Sequence, residues 1–191
     1  MATWILSATQ VRALSEAFAR TRESARDRAI LCLCVDAGLR RREIPGLRVR
    51  SVDLERSVVS IGSGPSRRLV RLGAESFEAV APFLRGRRGT DPLLVSRSGE
   101  PVTDRIVHEQ LRRLGELAGM GEWVTNRHTR HTFVEAVAGH YSADIVLRIA
   151  GHAGHRVKAA SAEFALRAQM SSGWTSPLDE MLGRAGRRRV A

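Results

Sequence analysis

Residues 36–44 read DAGLRRREI and directly follow the apolar run over residues 29–35. The apolar run predicts a core helix from about Ala25 to Ala37. Gly38 suits the left-handed residue that ends such a helix. Three consecutive arginines, Arg40 to Arg42, follow. This stretch therefore connects the predicted core helix to a strongly basic segment.

A short third helix is predicted next, from Leu39 through Glu43, because Pro45-Gly46 should stop it. Helical spacing of apolar residues predicts further helices along the chain. The first is capped by Ser7, another carries Phe77, Val80, Ala81 and Leu84, and a longer one is capped by Thr103. The remaining predicted helices cover residues 130–139, 144–150 (capped by Asp144) and 157–169.

Residues 58–61 and 68–72 are predicted strands, and the turn-forming residues 62–66 lie between them. This order predicts a β-hairpin. Leu93-Leu94-Val95 is a candidate third strand. The fold class is therefore mainly α with a small β-hairpin sheet, an α+β arrangement.

The length of 191 residues favours one ordinary domain, which we place at residues 1–170. Residues 171–191 are predicted to form a linker, a C-terminal helix and a basic tail. Ser176 should cap that helix, with Pro177 in its first turn. Its apolar edge is Leu178, Met181 and Leu182, and we expect it to dock on another subunit, giving a homo-oligomer or a hetero-oligomer.

The charge balance favours a polyanionic partner, because 31 Lys and Arg stand against 20 Asp and Glu, a net charge of +11. No secretory signal and no membrane-length apolar run is present, so we expect a cytoplasmic, nucleoid-associated protein. Cys32 and Cys34, the only cysteines, are expected to be reduced core residues. No metal and no cofactor is predicted.

Four blocks occur in a fixed order: residues 36–44, the hairpin 62–72, RHTRHTF at 127–133, and AGH at 153–155 followed nine positions later by Phe164. Together they resemble the catalytic domain of the tyrosine recombinases, the phage integrase family. The resemblance covers about Leu6 to Arg167. It implies that fold and an activity on double-stranded DNA.

In the family this resemblance implies, a tyrosine hydroxyl attacks a DNA phosphate and forms a covalent link. Two arginines stabilise the charge of the reacting phosphate, a hairpin lysine protonates the leaving oxygen, and histidines assist proton transfer. Arg40 matches the first arginine, Arg130 the second, and His155 the later histidine.

Three catalytic positions depart from the family pattern. Ser63 stands in place of the lysine, Arg127 in place of the first histidine, and Phe164 in place of the nucleophile. Phenylalanine has no oxygen with which to attack. A serine hydroxyl is a poor acid, and arginine holds its proton too tightly to shuttle it.

The retained side chains can still bind phosphate. The predicted DNA phosphate-binding residues are Arg40, Arg127, Arg130, His155, Arg67 and Arg68. We therefore expect a DNA-binding protein that lacks an intact catalytic set and acts as an accessory or regulatory factor in recombination, integration or transcription.

Two alternatives concern the active site itself. Gly151-His152 also reads as the family's Gly-His pair, and the ninth residue after His152 is Ser161. An active recombinase could use Tyr141, Ser161 or a residue of a neighbouring subunit, although Tyr141 is expected to be a half-buried structural residue. A third reading is an interaction subunit that docks on another recombinase through the C-terminal helix.

Overall fold

The structure is a computed structural model that describes residues 5–151, 159–171 and 175–184. Its helices are α1 (Ala8–Ala17), α2 (Ser24–Asp36), α3 (Ala74–Val80), α4 (Asp104–Leu117), α5 (Asn126–Ala138), α6 (Ala143–Ala150), α7 (Ala159–Ser171) and α8 (Pro177–Met181). Its strands are β1 (Val52–Asp53), β2 (Val58–Ile61) and β3 (Arg68–Arg71). The predicted fold class, mainly α with a small sheet, is confirmed.

Helix α2 lies at the centre of the core, and every residue from 29 to 36 is buried. Its end depends on Gly38, which has a φ of +57°. A Cβ at this position would lie 2.2 Å from the ring of Phe133 on α5. Glycine is therefore required for both the backbone conformation and the close packing of α5 against the end of α2.

The predicted third helix is wrong. Residues 41–43 form turns, and a 3-10 helix follows over Ile44–Gly46, with Pro45 inside it. The side chain of Asn126 forms hydrogen bonds with the backbone of this turn and so competes with a helix. It accepts from the Arg41 N–H at 2.9 Å and donates to the Leu39 carbonyl at 2.8 Å. The start of α5 thereby fixes the turn that carries the arginines.

The sheet is antiparallel in the order β1-β2-β3, and Ile61 pairs with Arg68 across the hairpin. The third strand is β1, rather than the predicted residues 93–95, which make only an isolated bridge from Val95 to Pro101. Pro92 and Pro101 flank that segment, and proline cannot donate to a ladder. Helix α7 lies beside β3, where the Gln169 side chain accepts from the Arg71 N–H and donates to the Leu69 carbonyl.

The predicted caps Ser7, Thr103 and Ser176 are confirmed. Helix α6 has Ser142 at its N-cap position, without a side-chain cap hydrogen bond, and the predicted cap Asp144 lies in the first turn, where it accepts from Arg148 at 2.8 Å. Within the described residues, no helix is long and apolar enough to cross a membrane.

Helix α8 packs on its own domain, whereas the sequence analysis placed its apolar edge against another subunit. Leu178 is fully buried in the core. Asp179 accepts from the N–H groups of Ala74 and Glu75 at 2.7 and 3.0 Å, which caps α3. Asp36 accepts from the N–H groups of Gly73 and Leu178 at 2.8 and 3.3 Å, although burial raises the pKa of Asp36 to about 6.

We predict that Leu178→Ala lowers the free energy of unfolding by about 2–5 kcal/mol, because it removes a fully buried side chain and leaves a cavity. The oligomeric mass should stay that of the wild type. Thermal unfolding and light scattering measure the two quantities, and Met181→Ala, at a partly buried position, is the milder control. A fall in mass with unchanged melting temperature would contradict the packing of α8 on its own domain.

Candidate functional site

Arginines converge where the end of α2, the β2–β3 hairpin and the end of α6 meet. Glu43 lies at the centre of this group. Arg68 donates through Nη1 and Nη2 to the two oxygens of Glu43 at 2.6 and 2.8 Å. The Arg40 N–H binds the same carboxylate at 2.6 Å, and its guanidinium lies 3.3 Å away. One carboxylate thus joins the arginine turn to the sheet.

Burial acts to raise the pKa of Glu43, but the contacts with Arg68 and Arg40 outweigh it and the pKa is lowered. Glu43 is therefore ionised at neutral pH. Arg68 is only 5% exposed, so it is a buried member of this ion pair rather than an open ligand. The sequence analysis predicted Arg68 as a phosphate ligand and did not predict its burial.

Arg40 and Arg130 bind backbone carbonyls at the end of α6. Arg40 donates to Gly151 O at 3.0 Å, while Arg130 donates to Gly38 O at 2.7 Å and also to Ala150 O. Burial, reinforced by the charges of Arg40 and Arg68, lowers the pKa of Arg130 to about 10. Arg130 stays protonated at neutral pH, in surroundings that favour an additional negative charge.

Two cavities open on either side of Arg40. The α5 cavity, of about 480 Å³, is lined by Arg40, Arg41, Arg42, His108, Thr125, Asn126, Arg127 and Arg130. The hairpin cavity, of about 220 Å³, is lined by Arg40, Glu43, Gly62, Ser66, Arg67, Arg68, Arg148 and Gly151. The predicted phosphate-binding arginines are therefore brought together, but they are divided between two openings.

The other predicted site residues are mostly exposed. Arg127 lies in the first turn of α5, and the Arg67 Nε donates to Ser60 Oγ at 2.9 Å. Ser63 is exposed in the hairpin turn and makes no side-chain cap there. Phe164 is 58% exposed on α7. His155 lies outside the described residues.

The position of Gly151 bears on the open choice between two Gly-His pairs. Gly151 ends α6 with a φ of +68° and accepts from Arg40. A Cβ there would approach Arg68 Nη1 to 3.1 Å. This placement at the arginine cluster favours the alternative in which Gly151-His152 is the family pair and Ser161 is the ninth residue after it.

Four basic residues of the cavities were missed by the sequence analysis. Arg41 and Arg42 belong to the quoted arginine run, and each lies 3.9 Å from Asp104. His108 comes from α4 and Arg148 from the last turn of α6. Arg148 could have been found from its i,i+4 spacing to Asp144 and its place just before a helix-ending glycine.

Residues expected to be structural behave as such. Tyr141 is partly buried and packs against the core. Cys32 and Cys34 are free and buried, and burial raises the pKa of each thiol to about 12. His128 is buried at the start of α5, where its Nδ1 accepts from the Thr125 N–H at 3.1 Å.

The sequence matches the profile of the phage integrase family over residues 5–157. The chain belongs to the phage integrase family. It is 33% identical to tyrosine recombinase XerC of Xylella fastidiosa strain 9a5c over 133 residues, which are 67% of this chain and 45% of that protein. It is 31% identical to tyrosine recombinase XerD of Pseudomonas aeruginosa over 137 residues, 66% of this chain and 46% of the relative. The chain spans less than half the length of these recombinases.

Solved structures agree with this assignment of the phage integrase fold. The crystal structure of XerA recombinase superposes with a TM-score of 0.69 at 25% identity, over 97% of this chain and 66% of XerA. XerH recombinase bound to its difH substrate superposes with a TM-score of 0.66 at 21% identity, over 80% of this chain and 48% of XerH. The described fold is therefore that of tyrosine recombinase catalytic domains.

We predict that Glu43→Gln lowers the free energy of unfolding by about 3 kcal/mol, because it leaves the buried Arg68 guanidinium without its counter-charge. Chemical denaturation measures the change. Glu109→Gln is the matched control, since it breaks the exposed pair between Glu109 and Arg105 and should have no measurable effect. Equal stability of Glu43→Gln and wild type would mean that Arg68 does not depend on this carboxylate.

Proposed function

We propose that this phage integrase family member binds double-stranded DNA and does not cleave it. The arrangement of arginines around Arg40 is the observation that carries the proposal. Arginine binds phosphate oxygens through paired N–H groups and keeps its charge at all physiological pH values. A surface with this donor set is suited to holding a DNA phosphate.

The charge of the whole chain supports the same partner. A net charge of +11 attracts a polyanion from a distance, while the local arginines fix its position. The family relationship adds to this argument, since XerH is described bound to its difH substrate and the Tn1549 integrase bound to transposon DNA. In this chain the fold presents its arginines at the junction of α2, the hairpin and the end of α6.

Loss of cleavage is proposed from the residue types at the reacting positions. Phe164 has no nucleophilic atom, and in the alternative alignment Ser161 replaces the tyrosine. Ser63 cannot protonate a leaving oxygen as a lysine can, and Arg127 cannot exchange its proton near neutral pH. The set that remains can stabilise a negative phosphate but lacks a tyrosine nucleophile and a lysine acid for the leaving oxygen.

We propose an accessory or regulatory role in DNA recombination, integration or transcription, in the cytoplasm at the nucleoid. Docking on another recombinase through the C-terminal helix would first require α8 to leave its site on its own core. The burial of Leu178 and the cap that Asp179 gives to α3 oppose that step. DNA binding by the chain itself is therefore preferred over a purely protein-binding role.

We predict that the affinity for a labelled duplex falls linearly with salt on a log–log plot, because bound arginines release condensed counterions. Arg40→Gln should weaken binding about 10-fold at 0.1 M salt, since Arg40 lines both cavities. Fluorescence anisotropy across a salt series measures both effects. Affinity that does not vary with salt, or no binding at low salt, would refute the proposal.

We also predict that the wild type forms no covalent adduct with a nicked suicide duplex. Phe164→Tyr and Ser161→Tyr, tested separately, should restore little, because a returned nucleophile still lacks the proton donor, a loss worth about 10²- to 10⁴-fold in rate. Adding Ser63→Lys and Arg127→His to the tyrosine variant in the correct register should help more than additively. A denaturing gel shows the adduct, and a strong adduct from the wild type would contradict this prediction.

A further inference from the structure

The hairpin cavity carries more positive charge than a single bound phosphate explains. Four guanidinium groups line it, those of Arg40, Arg67, Arg68 and Arg148, against the one carboxylate of Glu43. Glu43 is already bound by Arg40 and Arg68. Arg148 also pairs with Asp144 at 2.8 Å, so four guanidinium groups stand against two carboxylates and the cavity keeps an excess of positive charge.

A buried donor in this cavity also has no acceptor. The Nε of Arg68 is buried and makes no hydrogen bond within the described residues, although both terminal nitrogens of the same side chain bind Glu43. Leaving a buried N–H unsatisfied costs free energy, so such groups normally have a partner. Because this N–H is buried in the wall, the positive charge that the cavity presents to a ligand comes from the more exposed Arg40, Arg67 and Arg148.

The hairpin cavity is separate from the α5 cavity. Of the residues that line either cavity in the described part of the chain, Arg40 alone lines both. Arg127 and Arg130 face the α5 cavity, whereas Arg67, Arg68 and Arg148 face the hairpin cavity. Arg40 thus stands between two groups of cationic side chains.

A DNA strand presents its charges as a series, with one phosphate for about every 3.4 Å of helical rise. A site that binds one phosphate therefore brings the next one close to its rim. The hairpin cavity is bounded in part by Gly62 and Gly151, whose lack of side chains lets Ser66 and Arg68 pack close to the backbone at its wall.

We propose that the hairpin cavity binds a second phosphodiester, adjacent on the same DNA strand to the one held in the α5 cavity, with Arg40 between them. Arg148 is the residue that this proposal adds to the DNA-binding surface. The proposal rests on the proposed DNA binding. It implies that the two cavities together bind a phosphodiester chain and not an isolated anion.

Arg148 is suited to a mutational test because its side chain is 27% exposed and pairs with Asp144 on the same helix. Arg97 provides a matched control, since it also pairs with a carboxylate, Glu23, at 3.2 Å. Glu23 immediately precedes α2, and the 13 residues of α2 place it about 20 Å from the arginine cluster at the other end of that helix.

The experiment measures duplex affinity across a salt series for the full chain and four variants: Arg148→Gln, Arg127→Gln, the double variant, and Arg97→Gln. Each single cavity variant should lower the slope of log affinity against log salt by about 1 and weaken binding about 8-fold at 0.1 M salt. The double variant should lose about 2 units of slope, because the two arginines contact different phosphates. Arg97→Gln should bind as the wild type does.

Asp144→Asn tests the same arginine in the opposite direction. It releases Arg148 from its ion pair, so duplex affinity should rise while the melting temperature stays near that of the wild type. Lower affinity in this variant would contradict a role for Arg148 in binding DNA.

Three results would overturn the proposal. Arg148→Gln could behave as Arg97→Gln does, or the double variant could lose no more slope than either single variant, which would place both arginines on one phosphate. Inorganic phosphate could instead raise the melting temperature of the wild type but not of Arg148→Gln, with duplex affinity equal in both, which would make the cavity a small-anion site. A wild-type chain that binds no duplex would refute the proposed function itself and is distinguishable from all three.

Discussion

The carboxylate of Glu43 is the interaction on which the rest of the site depends. It holds Arg68 from β3 and the backbone and side chain of Arg40 from the turn after α2. Without a negative charge at this point, the guanidinium groups of Arg40, Arg68 and Arg130 would repel one another in a partly buried space. The charges of Arg40 and Arg68 already help to lower the pKa of Arg130. One ionised side chain therefore makes the arginine cluster compatible with a folded protein.

The sequence predicted the fold well wherever local signals decide structure. Helix caps such as Ser7 and Thr103 and the apolar periodicity of α4 depend on neighbours a few residues away, and they agree with the structure. Two of the errors, the third helix and the third strand, arise from distant contacts. Asn126 reorganises the turn at Arg41 from 85 residues away in the chain, and the two-residue strand β1 is defined only by its pairing with β2. Neither contact leaves a local pattern.

At the site, the sequence identified most of the residue types but not their arrangement. Motif order indicated Arg40, Arg67, Arg127 and Arg130, and all of them line the two cavities. The burial of Arg68 depends on Glu43, 25 residues earlier, and the place of Arg148 depends on how α6 ends against Arg40. The charge of a side chain determines whether it can bind a phosphate. Its packing determines whether a phosphate can reach it.

The residue types at this site separate phosphate binding from phosphate chemistry. Arginine is the stronger phosphate ligand because it is planar, offers paired donors and keeps its charge even where burial lowers the pKa, as at Arg130. The same property prevents it from giving a proton to a leaving oxygen or taking one from a nucleophile. Arg127 in place of a histidine thus adds a permanent charge to the α5 cavity and removes a proton carrier. Ser63 in place of a lysine removes an acid from the hairpin. The cationic groups of the adjoining hairpin cavity are then those of its arginines.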